Sequence, residues 1–135
     1  MANIDKDIRA ALEGQLANIT DVPSIAYENV PFTPTTGESY LEVRYVPVTR
    51  RPTVRGLNPQ QRYDGIFAIN CYAPEGKGPA AADTLADNVM AAFEATTKLT
   101  HNNVTTSIEY AERQQGIVDS PWYFVPVNIG WYAYN

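Results

Sequence analysis

Between Tyr63 and Tyr72 the chain reads YDGIFAINCY, and no other segment restricts the fold as strongly. Phe67, Ile69 and Cys71 fall on one side of an extended chain, and Ile66, Ala68, Asn70 and Tyr72 on the other. A strand that is apolar on both faces belongs in the middle of a sheet. Neighbouring segments supply its partners. Tyr40 to Val48 alternates, with Leu41, Val43 and Tyr45 opposed to Glu42 and Arg44, which predicts a half-exposed strand. Ser24 to Asn29 is a short strand candidate, Asn103 to Ala111 alternates through Val104, Thr106, Ile108 and Tyr110, and Trp122 to Tyr134 is a long closing strand. Pro126 lacks the donor that a central ladder needs, so the closing strand is expected at an edge or bulged there.

Two helices accompany these strands. Ile4, Ile8, Leu12, Leu16 and Ile19 line one helical face over Asp5 to Ile19, with Asn3 as N-cap and Asp5 and Asp7 at the positive end of the dipole. In the second, Ala80 to Leu99, the residues Leu85, Val89, Ala92, Phe93 and Thr96 recur at helical spacing. Before it, Gly76 and Gly78 permit positive φ and Pro79 suits a first helical turn. Strand runs with two helices predict an α+β fold: a mainly antiparallel or mixed sheet of about five strands, both helices on one face. A chain of 135 residues fits a single domain, 1–135.

The run PVTRRPTVRGLNPQQRYD, Pro47 to Asp64, sets this chain apart. It holds Arg50, Arg51, Arg55 and Arg62 with no acid before Asp64, although the whole chain carries a net charge of −5. Its prolines and length predict a long basic inter-strand loop, a form used for binding. Ordering Thr49 to Arg62 costs on the order of 1 kcal/mol of backbone entropy per residue. With little apolar surface to offset that cost, the loop is expected to be mobile in an isolated subunit and ordered across an interface. Arg mixed with Val54, Leu57 and Gln suits a protein interface, where forked contacts to carboxylates are common. A nucleic-acid role is the alternative, but a pI of about 4.7 is the reverse of a basic footprint.

Catalytic signatures are missing from the sequence. Cys71 is the one cysteine and His101 the one histidine. Together they could make an activated thiolate, yet Cys71 sits in an apolar strand as an inert packed thiol and His101 reads as a polar turn residue after a helix. Gly76-Lys77-Gly78 could cradle a phosphate but reads as a strand-to-helix turn. Glu109, Glu112 and Asp119 read as a solvated strand end. No enzyme activity, cofactor or metal is expected. The start, MANIDKDIRAALEG, lacks an apolar stretch of signal-peptide type, which predicts a mature cytosolic start.

The order helix, strands, basic segment, then YDGIFAINCYAPEGKGPAAADTLADNVMAAF resembles the tail terminator proteins of long-tailed bacteriophages, which are related to the minor tail protein U of lambda-like phages. The match is carried by Gly65 to Tyr72, the Pro74 to Gly78 turn and the helix with Leu85, Ala86, Val89 and Phe93. The resemblance implies a structural virion protein forming a hexameric ring that caps the tail tube, ends its polymerisation and offers a head-tail joining surface. Its partners would be copies of itself, tail-tube protein and a head-tail connector protein, with genomic DNA passing through the lumen without specific binding. Its locations would be the host cytoplasm during assembly and then the virion tail or neck. Another neck or tail-completion protein is the alternative within this class. Arg50, Arg51, Arg55, Leu57 and Arg62 are the candidate interface residues, with Glu38, Glu42, Asp83 and Asp87 as candidate complements.

Overall fold

A computed structural model describes residues 4–54, 56 and 60–135. The elements are α1 (Ile4–Ala17), β1 (Ser24–Ala26), β2 (Tyr40–Pro52), β3 (Gln61–Pro74), α2 (Ala80–Ala92), β4 (Lys98–His101), β5 (Val104–Arg113), β6 (Ile117–Asp119) and β7 (Trp122–Tyr134). The sheet runs β1-β2-β3-β7-β5-β4, with β6 beside β7. β1 lies parallel to β2 and the other pairs are antiparallel. The fold is α+β as expected, but the sheet has seven strands where about five were read from the sequence.

The two-sided apolar pattern of β3 places it as anticipated, between β2 and β7. Phe67, Ile69 and Cys71 turn inward and are fully buried. Ile4, Ile8, Leu12 and Leu16, one helical turn apart, bury the inner stripe of α1. α2 contributes Ala82, Ala86 and Val89, and Phe93 follows at its end. Both helices share one core with the inward residues of β2, β3, β5 and β7, so they cover the same face of the sheet. The rings of Phe67 and Phe93 lie 6.0 Å apart. Gln15 Nε2 donates to the Ala92 carbonyl at 2.8 Å, so α1 satisfies one of the open carbonyls at the end of α2.

Several boundaries differ from the sequence reading. α2 stops at Ala92 instead of Leu99, because the chain turns through Thr96 at φ 74° and returns as β4 along β5. Leu99 and His101 are therefore strand residues. The Thr96 amide donates to Ile108 and the Ile108 amide to Thr97, pairing that would be lost in a longer helix. β6 is only three exposed residues long, too short to leave an alternating signature. Asn3, read as an N-cap, lies outside the described residues.

Pro126 marks neither an edge nor a bulge. β7 pairs with β3 through Asn70↔Pro126 without a register shift, and with β5 and β6 on its other side. The Pro126 carbonyl accepts from the Gln114 amide at 2.9 Å, in the stretch where β5 gives way to β6. Nitrogen and carbonyl of one strand residue face the same side, so the missing donor points into that gap.

The face of the sheet opposite the helices carries a second cluster at one end. Tyr40 stacks on Tyr72 at 4.5 Å and Tyr72 on Phe124 at 4.8 Å, while Trp122 meets Tyr40 edge-on at 5.2 Å. These aromatics fix the ends of β2, β3 and β7 together without any helix above them. The opposite end of the same face is polar and belongs to the basic segment.

Candidate assembly interface

The basic segment is a hairpin rather than a long loop. β2 continues to Pro52 and β3 begins at Gln61, with Thr49↔Asp64, Arg50↔Tyr63, Arg51↔Arg62 and Pro52↔Gln61 in register. Only residues 53–60 connect the strands. The expected loop from Pro47 to Asp64 is thereby shortened: cross-strand pairing within one subunit takes in Thr49–Pro52 and Gln61–Asp64. Prolines misled the sequence reading because they sit where a strand tolerates them. The Tyr45 amide donates to the Glu28 carboxylate, outward from the sheet, so Pro47 two residues later also turns its nitrogen outward. Gln61 exchanges both backbone bonds with Asn135, each at 2.9 Å, so its partner Pro52 faces outward as well. Neither proline removes a ladder bond, and a register shift between Pro47 and Thr49 accommodates the bend.

Where the candidate residues fall decides what each can do. Arg50 and Arg51 are exposed, Arg50 lying 5.6 Å from the centre of the Tyr63 ring. Arg62 is engaged within its own chain. Its Nε and Nη2 grip Asp64 at 3.0 and 2.9 Å, Nη1 donates to the Tyr134 hydroxyl at 3.0 Å, and Nη2 reaches Glu109 at 3.3 Å. The guanidinium lies over the Tyr132 ring, 4.4 Å from its centre. Its hydrogen bonds to Asp64, then to Tyr134, push its pKa further up. Arg62 thus ties β3, β7 and β5 together at the root of the hairpin. Arg55 and Leu57 lie outside the described residues.

A second polar group secures the other flank. Glu28 accepts from Arg9 Nη1 at 3.0 Å as well as from the Tyr45 amide, and the Arg9 guanidinium lies 4.8 Å from the Tyr45 ring centre. The Tyr45 hydroxyl donates to Asp5 at 2.8 Å. Burial first, then the bond to Asp5, drives the phenol pKa up. This group anchors α1 to the free edge of β2, and alternation alone gave no sign of it.

The carboxylates proposed as complements are distributed. Asp83 pairs with Arg113 at 2.8 Å and Glu42 accepts from Asn70 at 3.3 Å, whereas Glu38 and Asp87 are exposed. Glu109, Glu112 and Asp119 sit opposite or beside different residues of β7 and do not converge. Gly76 and Gly78 adopt φ 86° and 77°, as a tight strand-to-helix turn requires, and the turn is exposed. Among the described residues no group of His, Cys, Asp and Glu is arranged to hold a metal, and no helix is long and apolar enough to cross a membrane.

Cys71 and His101 are not brought together. Cys71 lies on β3 and His101 on β4, with β7 and β5 between. Burial pushes the Cys71 thiol up to about 12. At pH 8 a thiol reagent is expected to leave Cys71 unmodified in the native protein and to modify it fully after denaturation. Because the folded pKa lies above the unfolded one, the stabilisation is complete below about 9 and fades as pH rises towards about 12. Equal reaction rates in native and denatured protein at pH 8 would contradict this placement.

Known proteins place this geometry. A solved structure of a protein that carries no functional name superposes with a TM-score of 0.74 at 24% identity, covering 95% of this chain and 93% of its own. A chain from the virion of a native gene transfer agent particle superposes with a TM-score of 0.66 at 14% identity, covering 100% of both. At these identities the likeness is one of fold. No curated protein sequence matches the chain. The model of the phage tail terminator protein family matches residues 7–131, from the second turn of α1 to Trp131 in β7, and this chain belongs to that family of phage tail structural proteins.

Proposed function

We propose that this protein is a tail terminator that forms a hexameric ring on the end of the tail tube, stops its polymerisation and presents the surface to which the head is joined. The family match over residues 7–131 carries this reading. The structure adds a physical basis for ring formation. A ring needs two different patches on each subunit, placed so that the contact closes on itself. The basic hairpin edge with Arg50 and Arg51 is one patch, and Arg55 and Leu57, which follow in sequence, are assigned to the same interface. Arg62 sets the hairpin's direction from its root. Tail-tube protein meets one side of the ring and a head-tail connector protein the other. A net charge of −5 lets DNA pass the lumen without adhering. Subunits assemble in the host cytoplasm and remain in the virion tail or neck.

The test is genetic and biophysical together. Removing the protein is expected to give tails of uncontrolled length. Arg51→Glu combined with Arg55→Glu is expected to abolish ring or tail assembly while the subunit keeps its circular dichroism and thermal midpoint. Normal tails in the absence of the protein would refute the reading.

A further inference from the structure

We propose that the groove between α2 and the outer edge of β5 seats the β2–β3 hairpin of a second copy of this chain. The proposal rests on the ring reading above and names its missing contact. The groove encloses about 550 Å³ between the last turns of α2 and the start of the free edge of β5. It is lined by the apolar side chains of Met90, Ala91, Ala95, Tyr110 and Ala111 and by three exposed carboxylates, Asp87, Glu94 and Glu109, which make its acidic rim. β4 and the preceding turn cover β5 only as far as Ile108. From Glu109 onward the outer side of β5 has no strand neighbour among the described residues, and Tyr110 stands 37% exposed.

The hairpin is the complement in both charge and polarity. Arg50 and Arg51 are exposed beside Val48 and Val54, which are 59% and 63% exposed. Valines of this exposure next to two arginines match a lining that mixes apolar side chains with carboxylates. Asp87 and Glu94 form no salt bridge among the described residues, and Glu109 already shows that this rim accepts a guanidinium, through its contact with Arg62 at 3.3 Å. The free edge of β2 and the groove lie on opposite sides of the sheet, with β3 and β7 between, about 14 Å of sheet. The edge therefore faces away from its own groove and towards a neighbour. Because Pro47 and Pro52 blunt it, side chains and not backbone ladders make the contact. Two distinct patches on opposite flanks give a head-to-tail contact.

Disulfide trapping and charge exchange test the seat. The buried Cys71 leaves engineered thiols as the reactive ones. Arg51→Cys with Glu94→Cys in one chain, oxidised under conditions where the protein assembles with tail-tube protein, is expected to give a covalent ladder extending beyond dimer. Either single variant is expected to give none. Asp87→Arg with Glu94→Arg is expected to weaken assembly at least about tenfold, and adding Arg50→Glu with Arg51→Glu to restore most of it. Rings that form normally with the reversed rim and yield no ladder would overturn the seat while leaving the ring reading intact. Covalent dimers without higher species would overturn it in favour of a two-fold contact. Failure of the unaltered protein to assemble at all, with normal tails in its absence, would overturn the ring reading and the seat with it.

Discussion

Trp131→Ala is expected to lower the free energy of unfolding by about 3–5 kcal/mol, the range for a large aromatic removed from a closed core. Trp131 is 1% exposed, and its ring stacks on Tyr45 at 5.3 Å with planes 10° apart. Tyr45 in turn holds Asp5 and Arg9 of α1, so the indole supports the joint between helix and sheet. Trp131→Phe is expected to cost less than about 2 kcal/mol. The indole Nε1 has no hydrogen-bond partner among the described residues, so the smaller ring forfeits area and stacking but no polar bond. Urea unfolding with an unchanged slope measures both. A loss below about 1 kcal/mol for the alanine variant would show that the stack is not a core contact.

Gly65→Ala is expected to destabilise by about 3 kcal/mol, the upper range for overpacking. A Cβ at this position would lie 2.6 Å from the Val46 carbonyl oxygen and within the ring atoms of Trp131. The indole can shift; the paired backbone of β2 cannot do so without opening the ladder. Combining Gly65→Ala with Trp131→Phe is therefore expected to recover only part of the loss, a coupling of about 1 kcal/mol in a double-mutant cycle. Full additivity would mean that the clash with Val46 is the whole effect.

The centre of the fold was legible because its signal is periodic. Four residues of α1 spaced by one turn, and the two-sided apolar run of β3, each admit one placement. The ends were not legible, for local reasons. Thr96, at positive φ, reverses the chain inside what reads as continuous helix, and β6 is too short for any period to show. At the hairpin the error came from reading Pro47 and Pro52 as breakers. Whether a proline breaks a strand depends on which side its nitrogen faces, and that is fixed by register rather than by composition. The candidate arginines were found by charge alone, but charge could not show that Arg62 is held by Asp64, Tyr134 and Glu109. The acidic groove did leave a sequence trace: Asp87 and Ala91 lie one turn apart on α2, and Glu94 follows just past its end.

The two outward prolines and the Glu28 clip on β2 have a consequence for how a high local concentration of subunits behaves. A bare edge strand is a template on which identical chains stack without limit, and such fibrils are slow to reverse. Here that template is withheld along the stretch nearest the hairpin. In the proposed ring, contacts between copies along that stretch are then made by side chains, and their charged part weakens as ionic strength rises because exposed ion pairs are screened beyond about 10 Å at 0.1 M salt. A misplaced subunit can dissociate and bind again, so errors in a growing particle stay correctable.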